Sequence, residues 1–462
     1  MLNLLVQLSK YINILFIAFY TFYAFYVLGI NDKKKQNRIY GKMTGIIYAF
    51  HFISYLILYI NSMNIKIVFL YVGQFFGITL VFILYQWVYS NISKLVLHNM
   101  IFLLTVGMVM LTRLAFQKAV KQSIIVGFTL MMCLIIPLLI DKLKHLSKYG
   151  WLYGGVGIVV LLSVLFLGIE QYGATNWISI FGFTLQPSEF VKIIFVFCIA
   201  SLLSKRKDFR YVAVVTILAA IHVLILVAGK DLGGALIYFV TYLVMLYIAT
   251  CNPFYFMAGL SGGVLASIVA YQLFYHVKVR VMAWSNPWAY IDKEGYQISQ
   301  SLFAIGTGGW FGMGLSKGLP TSIPVVDSDF IFSAISEEMG AIFALCLILI
   351  CISCFIMFIT IAMKLENEFY KLIAIGLSIL YIFQVFLSIG GVTKFIPSTG
   401  VTLPLISYGG SSILSSLLMF SVIQGLHVFS QDGNDNIEKR KRKRNTKTKT
   451  KNREKERKSA AR

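Results

Sequence analysis

The chain has 462 residues, 58% hydrophobic and 13% charged, with a mean hydropathy of +0.78 and a formal net charge of +22. Soluble domains are about a quarter charged, so a water-soluble globule is excluded and a polytopic membrane protein is indicated. The charge is uneven: residues 431–462 carry +9 and the remainder +13.

Apolar runs of about 20 residues, each enough to cross about 30 Å of hydrocarbon as helix, recur along the chain. They predict an all-α bundle of thirteen spans near 10–30, 41–60, 66–89, 96–113, 121–140, 151–169, 189–204, 211–228, 233–250, 254–276, 338–363, 369–391 and 405–429. The first run lacks a basic leader, and Lys33-Lys34-Lys35 follow it, so no cleavable signal peptide is expected. Basic residues collect at Lys33–Arg38, Asp141–Lys148, Ser204–Arg210, Lys364 with Lys371, and the C-terminal tail. Thirteen spans put all five on one side, which the positive-inside rule makes cytoplasmic, with the N-terminus outside. The polar connections Glu170–Ser188, Gly229–Leu232, Val277–Glu337 and Val392–Pro404 then share the outer side. Irregular backbone near a membrane belongs where it is buried in protein or lines a wet cavity, so this is the expected working face.

Ionisable groups beside spans mark candidate sites. In order along the chain, the first is Gln186-Pro-Ser-Glu189 with Lys192, where i, i+3 spacing also suits an internal ion pair. Lys230-Asp231-Leu-Gly-Gly234 follows, with Asp231 placed to cap a helix. Lys278 and Arg280 sit in a cationic stretch that runs into Trp284 and Trp288; two cations at i, i+2 suit a phosphate oxygen, while tryptophans commonly anchor an interface. The glycine run Gly306–Gly318 lacks the Lys-Ser/Thr ending of a phosphate-binding loop. In Asp327-Ser-Asp329-Phe-Ile-Phe332 a carboxylate pair precedes an apolar helical run, with Glu337-Glu338 two turns on. A helix start would keep Asp329 ionised, Asp327 two residues away opposes that, and the competing reading is that Asp327 or Ser328 caps the helix. Lys394 and the small-residue segment Ser407–Ser412, with Ser411, complete the set. The six cysteines lie in or beside apolar runs; Cys351-Ile-Ser-Cys354 has redox spacing without a second ligand pair and reads as packing. No His/Cys/Glu group has zinc spacing.

With Asn286-Pro-Trp288, Gly295-Tyr-Gln-x-x-Gln-Ser301, Ala304-Ile-Gly-x-Gly-Gly309, Glu337-Glu338-x-Gly340 and Pro404-Leu-Ile-Ser-Tyr-Gly-Gly-Ser-Ser412, these motifs resemble the SEDS family (shape, elongation, division and sporulation; FtsW, RodA and SpoVE) over about residues 95–430. The resemblance implies a ten-span core preceded by three extra N-terminal helices in residues 1–94, a large extracytoplasmic connection over 277–337, and a basic, disordered cytoplasmic tail over 431–462. It implies a peptidoglycan glycosyltransferase of the bacterial plasma membrane, polymerising lipid II at the outer leaflet beside a class B penicillin-binding transpeptidase. The family's essential aspartate corresponds to Asp329. The chain departs from the family pattern with Val325 for Glu, Asp327 for His and Ser328 for Thr, and with Asn176 for a basic residue.

Under that reading Asp329 is the general base, with inversion at the donor sugar. Lys230, Lys278, Arg280 and Lys394 would face the diphosphate. Glu189, Lys192, Asp231 and Ser411 are further substrate-binding candidates. No nucleotide is required, and a divalent cation held by Asp329 with Asp327 or Glu189 would share the work on the diphosphate. The competing expectations are a transporter (flippase) of a lipid-linked precursor, which would place polar groups along a path at mid-bilayer, and a scaffold without activity. The tail is expected to bind the anionic membrane surface and not nucleic acid, since no aromatics interleave its charges.

Overall fold

The computed structural model describes residues 2–142, 145–171, 174–180 and 183–431. The basic tail, with its expected membrane contact, lies outside these residues, as does Lys144. The chain folds as α1 (Leu2–Tyr26), α2 (Lys33–Ser62), α3 (Ile65–Val88), α4 (Lys94–Leu114), α5 (Phe116–Cys133), α6 (Ile136–Lys142), α7 (Gly150–Leu167), α8 (Pro187–Leu203), α9 (Phe209–Ala228), α10 (Leu232–Thr250), α11 (Pro253–Leu273), α12 (Tyr275–Ser285), α13 (Tyr296–Gly308), α14 (Ile331–Met339), α15 (Ala341–Met363), α16 (Glu368–Val392) and α17 (Gly410–Gln431). Among the described residues, twelve helical segments are long and apolar enough to cross a membrane. The 17-residue α8 meets the lower limit of about 17 residues for a span and takes the thirteenth expected place.

Several boundaries differ from the expected ones. The run near 121–140 breaks after Cys133, just before Pro137, because proline cannot continue the hydrogen-bond ladder. The run near 254–276 ends at Leu273; Phe274 is extended and the chain resumes as α12. The run expected to begin at 338 begins at Ala341, since Gly340 at φ +91° separates it from α14. The final span starts at Gly410, leaving 401–409 as turns. Between α7 and α8 the chain forms a three-stranded antiparallel sheet, β1 (Ile169–Gln171), β2 (Ala174–Ile180) and β3 (Phe183–Leu185), a small addition to an otherwise all-α fold.

The core centres on α4, whose residues Leu95–Thr112 are all buried. Its apolar residues are spread around the helix and favour full enclosure, and α4 is packed by α2, α5 and α15. The three N-terminal helices join this core rather than standing apart. Tyr20 donates to Asn99 at 3.1 Å, and Asn99 in turn donates to Ser353 on α15 at 3.2 Å. Tyr55 on α2 meets Thr112 at 2.8 Å and donates to Gln74 on α3 at 2.7 Å, which reaches Ser123 on α5 at 2.9 Å. In an apolar surround such bonds hold helices in register because the unmade alternative is an orphaned polar group.

Close approach to the site-bearing loops depends on Gly107 of α4, where an added Cβ would lie 2.6 Å from the backbone oxygen of Ile406. Gly107→Ala is expected to destabilise by about 1–3 kcal/mol through overpacking. Gly127→Ala on α5, with open space at its Cβ, should be neutral or slightly stabilising through helix propensity. Thermal unfolding of the two variants in detergent compares them directly.

Candidate active site

Asp329 sits in a non-helical turn between Ile323 and Phe330. Two strained segments meet there. Val325 has φ +57° and Leu405 φ +66°, conformations that side chains with a Cβ rarely adopt. They are stitched together: Tyr408 N–H donates to the Asp327 carbonyl at 2.8 Å, and the Ser407 hydroxyl donates to the Ser328 carbonyl at 2.5 Å. Ser407 also accepts from Leu403 N–H at 2.9 Å. Gln122 of α5 spans the same turn, donating to the Ser407 carbonyl at 2.9 Å and accepting from Gly409 N–H at 3.0 Å. The Asp327 carboxylate pairs with Lys118 of α5.

The side chain of Asp329 is approached from two other segments. A Cβ built on Gly400, itself at φ +71°, would stand 3.6 Å from Asp329 Oδ2 and 3.9 Å from Arg280 Nη2. Arg280 is anchored by donating to the Ser398 carbonyl at 3.3 Å, and Trp284 on the same helix donates to the Lys394 carbonyl at 3.1 Å. A guanidinium and a carboxylate therefore flank one glycine gap. The next residues of that loop touch α10: a Cβ on Gly233 would lie 2.9 Å from the Thr399 carbonyl oxygen. Asp231 caps α10 as expected, accepting Gly234 N–H at 2.8 Å, and is also reached by Asn176 at 3.3 Å and by Ser188 and Gln186 at 3.4 Å. Arg280 lies in the field of both Asp329 and Asp231.

Burial pushes the Asp329 carboxyl above its ordinary range; the Ser328 hydroxyl and the charge of Arg280 pull it back, and Asp327 adds to the rise. The helix start expected to favour the ionised form is thus opposed by burial. Helix α14 begins at Ile331 with Phe330 at its N-cap and no side-chain cap, so neither Asp327 nor Ser328 plays that part. Burial likewise raises Asp231, opposed by Gly234 N–H, Asn176 and Ser188.

The other expected residues have different surroundings. Lys192 lies 2.6 Å from Glu189 and donates to Gln384 at 2.8 Å, while Ser415 donates to Glu189 at 2.7 Å. With its side chain 4% exposed, Lys192 belongs to an internal ion pair joining α8, α16 and α17, the bland reading of the spacing. Ser411 is buried and accepts Gln186 N–H at 2.9 Å, tying the start of α8 to α17. Lys278 and Lys394 are half-buried and Lys230 is exposed, the latter two at φ +60°. Among the described residues no three His, Cys, Asp or Glu side chains are grouped to hold a metal. Asp327 is committed to Lys118 and Glu189 to Lys192 and Ser415, so the donors proposed beside Asp329 do not fit a cation.

Arg113 and Lys118, at the turn between α4 and α5, are not among the residues expected from the sequence, although a charge beside a span is the signal that would mark them; both belong to the site's support. Glu338 is fully buried and accepts from Arg113 Nε at 3.0 Å and from Ser316 N–H at 3.0 Å, while Glu337 accepts Leu319 N–H at 2.7 Å. Beyond the end of α13 at Gly308 the glycine run is thus a loop folded on the end of α14, with Gly314 N–H on the Glu338 carbonyl at 2.9 Å.

The family model for FtsW, RodA and SpoVE, described as cell cycle protein, matches residues 83–432. The chain belongs to this family. Its relatives include the peptidoglycan glycosyltransferase RodA of Mycobacterium tuberculosis (strain ATCC 25618 / H37Rv), 37% identical over 63% of this chain and 66% of that protein. Stage V sporulation protein E of Bacillus subtilis (strain 168) is 33% identical over 59% of this chain and 77% of its own length. The chain thus spans just under two thirds of the mycobacterial relative. The same fold is seen in a chain of a peptidoglycan synthase complex that coordinates polymerization and crosslinking, at TM-score 0.62 and 22% identity, covering 73% of this chain and 97% of that one. The rod shape determining protein RodA of Thermus thermophilus shares it at TM-score 0.53 and 23% identity, covering 73% and 96%.

In this member of the FtsW/RodA/SpoVE family the Arg113–Glu338 pair carries a clear expectation. Removing one partner of a buried pair leaves an uncompensated charge, at a cost of about 3–5 kcal/mol. Arg113→Met should lower the unfolding temperature sharply, and adding Glu338→Gln should recover part of the loss; the double-variant cycle read by thermal unfolding checks both.

Proposed function

We propose that the chain is a peptidoglycan glycosyltransferase that polymerises lipid II, with Asp329 as general base and Arg280 facing the departing diphosphate. The observation that carries this is the meeting of Asp329 and Arg280 across the Gly400 gap, with charges of opposite sign supplied by segments about 70 and 120 residues before that glycine. The relatives named as glycosyltransferases support it.

The chemistry follows from the two charges. An acceptor sugar hydroxyl attacks the anomeric carbon of the donor and forms the new C–O bond with inversion. Its proton passes to the Asp329 carboxylate, while the bond from the anomeric carbon to the diphosphate oxygen breaks and the diphosphate keeps the electron pair. A carboxyl whose affinity for protons is raised by burial is a stronger base once ionised. The negative charge gathering on the diphosphate is met by Arg280, assisted by Lys230, Lys278 and Lys394. No step is routed through a metal ion. We place this site on the extracytoplasmic face, following the distribution of basic residues. A crosslinking transpeptidase is the proposed partner, supported by the fold shared with a chain of a synthase complex.

Asp329→Asn is expected to cut polymerisation of lipid II by purified protein by about 10²-fold or more, the range for loss of a general base, with unfolding temperature preserved. Polymerisation at the wild-type rate would remove Asp329 from that role. Because the base works only when ionised, kcat should rise with pH through the Asp329 pKa, placed above the ordinary carboxylate value by burial. That limb should vanish from the pH profile of Asp329→Asn.

A further inference from the structure

We infer that Lys118 is a positioning residue for the Asp329 turn, acting through its ion pair with Asp327. The inference rests on the reading of Asp329 as the reacting base. Lys118 lies near the start of α5, 209 positions from its partner, and its ammonium group both pairs with Asp327 and stands 5.1 Å from the centre of the Tyr408 ring. Tyr408 in turn binds the Asp327 carbonyl through its N–H. One cation therefore clamps two turns that each contain a residue in left-handed conformation, Val325 and Leu405. Such conformations persist only where the surroundings over-determine them.

Two facts separate positioning from general stabilisation. The Lys118 side chain is 45% exposed, and ion pairs that open to solvent contribute little to global stability. Asp327 is only two residues from Asp329, so a shift of its carbonyl and carboxylate moves the reacting group itself. Misplacement of about 1 Å costs on the order of 10²-fold in rate. The pair also gives the carboxylate beside Asp329 a counter-charge of its own.

The test uses the full chain in detergent with lipid II, comparing wild type, Lys118→Met, Lys118→Arg, Asp327→Lys, and Lys118→Asp combined with Asp327→Lys, with Asp329→Asn in parallel. Polymerisation kinetics are read beside thermal unfolding and amide hydrogen exchange across residues 323–330. Lys118→Met is expected to lower kcat by about tenfold or more with KM and unfolding temperature unchanged and with faster exchange in that segment. Lys118→Arg and the reversed pair should restore both kcat and protection. Wild-type kcat and exchange in Lys118→Met would overturn the inference, as would a reversed pair no better than Asp327→Lys alone. If Lys118→Met failed to fold, the comparison of Lys118→Arg with the reversed pair would decide by the same readouts. A fully active Asp329→Asn would instead sink the general-base reading, while the exchange data still report on the clamp.

Discussion

A carboxylate removed from water costs several kcal/mol unless a counter-charge and hydrogen-bond donors replace its hydration. That constraint organises the working end of this bundle. Glu189 takes Lys192 and Ser415, Glu338 takes Arg113 and backbone N–H, Asp231 takes a helix start and three side chains, and Asp327 takes Lys118. Asp329 is placed differently. Arg280 stands across a glycine gap from it and is anchored to the Ser398 carbonyl. The satisfied pairs build a rigid frame; burial raises the proton affinity of Asp329 as it does that of Asp231 and Glu338, and Asp329 combines that property, which a general base needs, with a cation across the Gly400 gap.

The frame is held by long-range ties rather than by regular structure. Residues 323–330 and 401–409 contain little helix, and their shape comes from Gln122, Ser407, Tyr408 and Lys118. Of the seven non-glycine residues at positive φ among the described residues, Lys230, Val325, Lys394 and Leu405 lie in the loops that supply the site, while Met63 and Cys251 end helices elsewhere and Ser316 lies in the glycine loop. Strain gathered in this way is characteristic of functional sites, where the scaffold elsewhere offsets it. The scaffold here is the fully enclosed α4, against whose Gly107 the Ile406 backbone rests.

Much of this was legible in the chain itself, for physical reasons. Apolar runs register the bilayer requirement directly, so the membrane-spanning helices and the all-α class could be read from hydropathy. Asp231 as a cap and Glu189 with Lys192 as a pair are local relations, visible from spacing alone. What escaped was long-range. Lys118 and Asp327 are 209 positions apart, and no periodicity links them. The helices α12 and α13 within the long 277–337 connection, and the small sheet after α7, were hidden because short elements near the membrane surface lack a full apolar stripe. The raised proton affinity of Asp329 was not legible because it depends on burial by segments brought in from elsewhere.

The most direct test of the central claim is an experimental structure of the protein bound to a non-reactive lipid-linked diphosphate sugar with an acceptor glycan. The diphosphate is expected within hydrogen-bond reach of Arg280 and the acceptor hydroxyl about 3 Å from Asp329, directly or through one water. A diphosphate held by another part of the bundle, with Asp329 out of reach of any sugar hydroxyl, would contradict it.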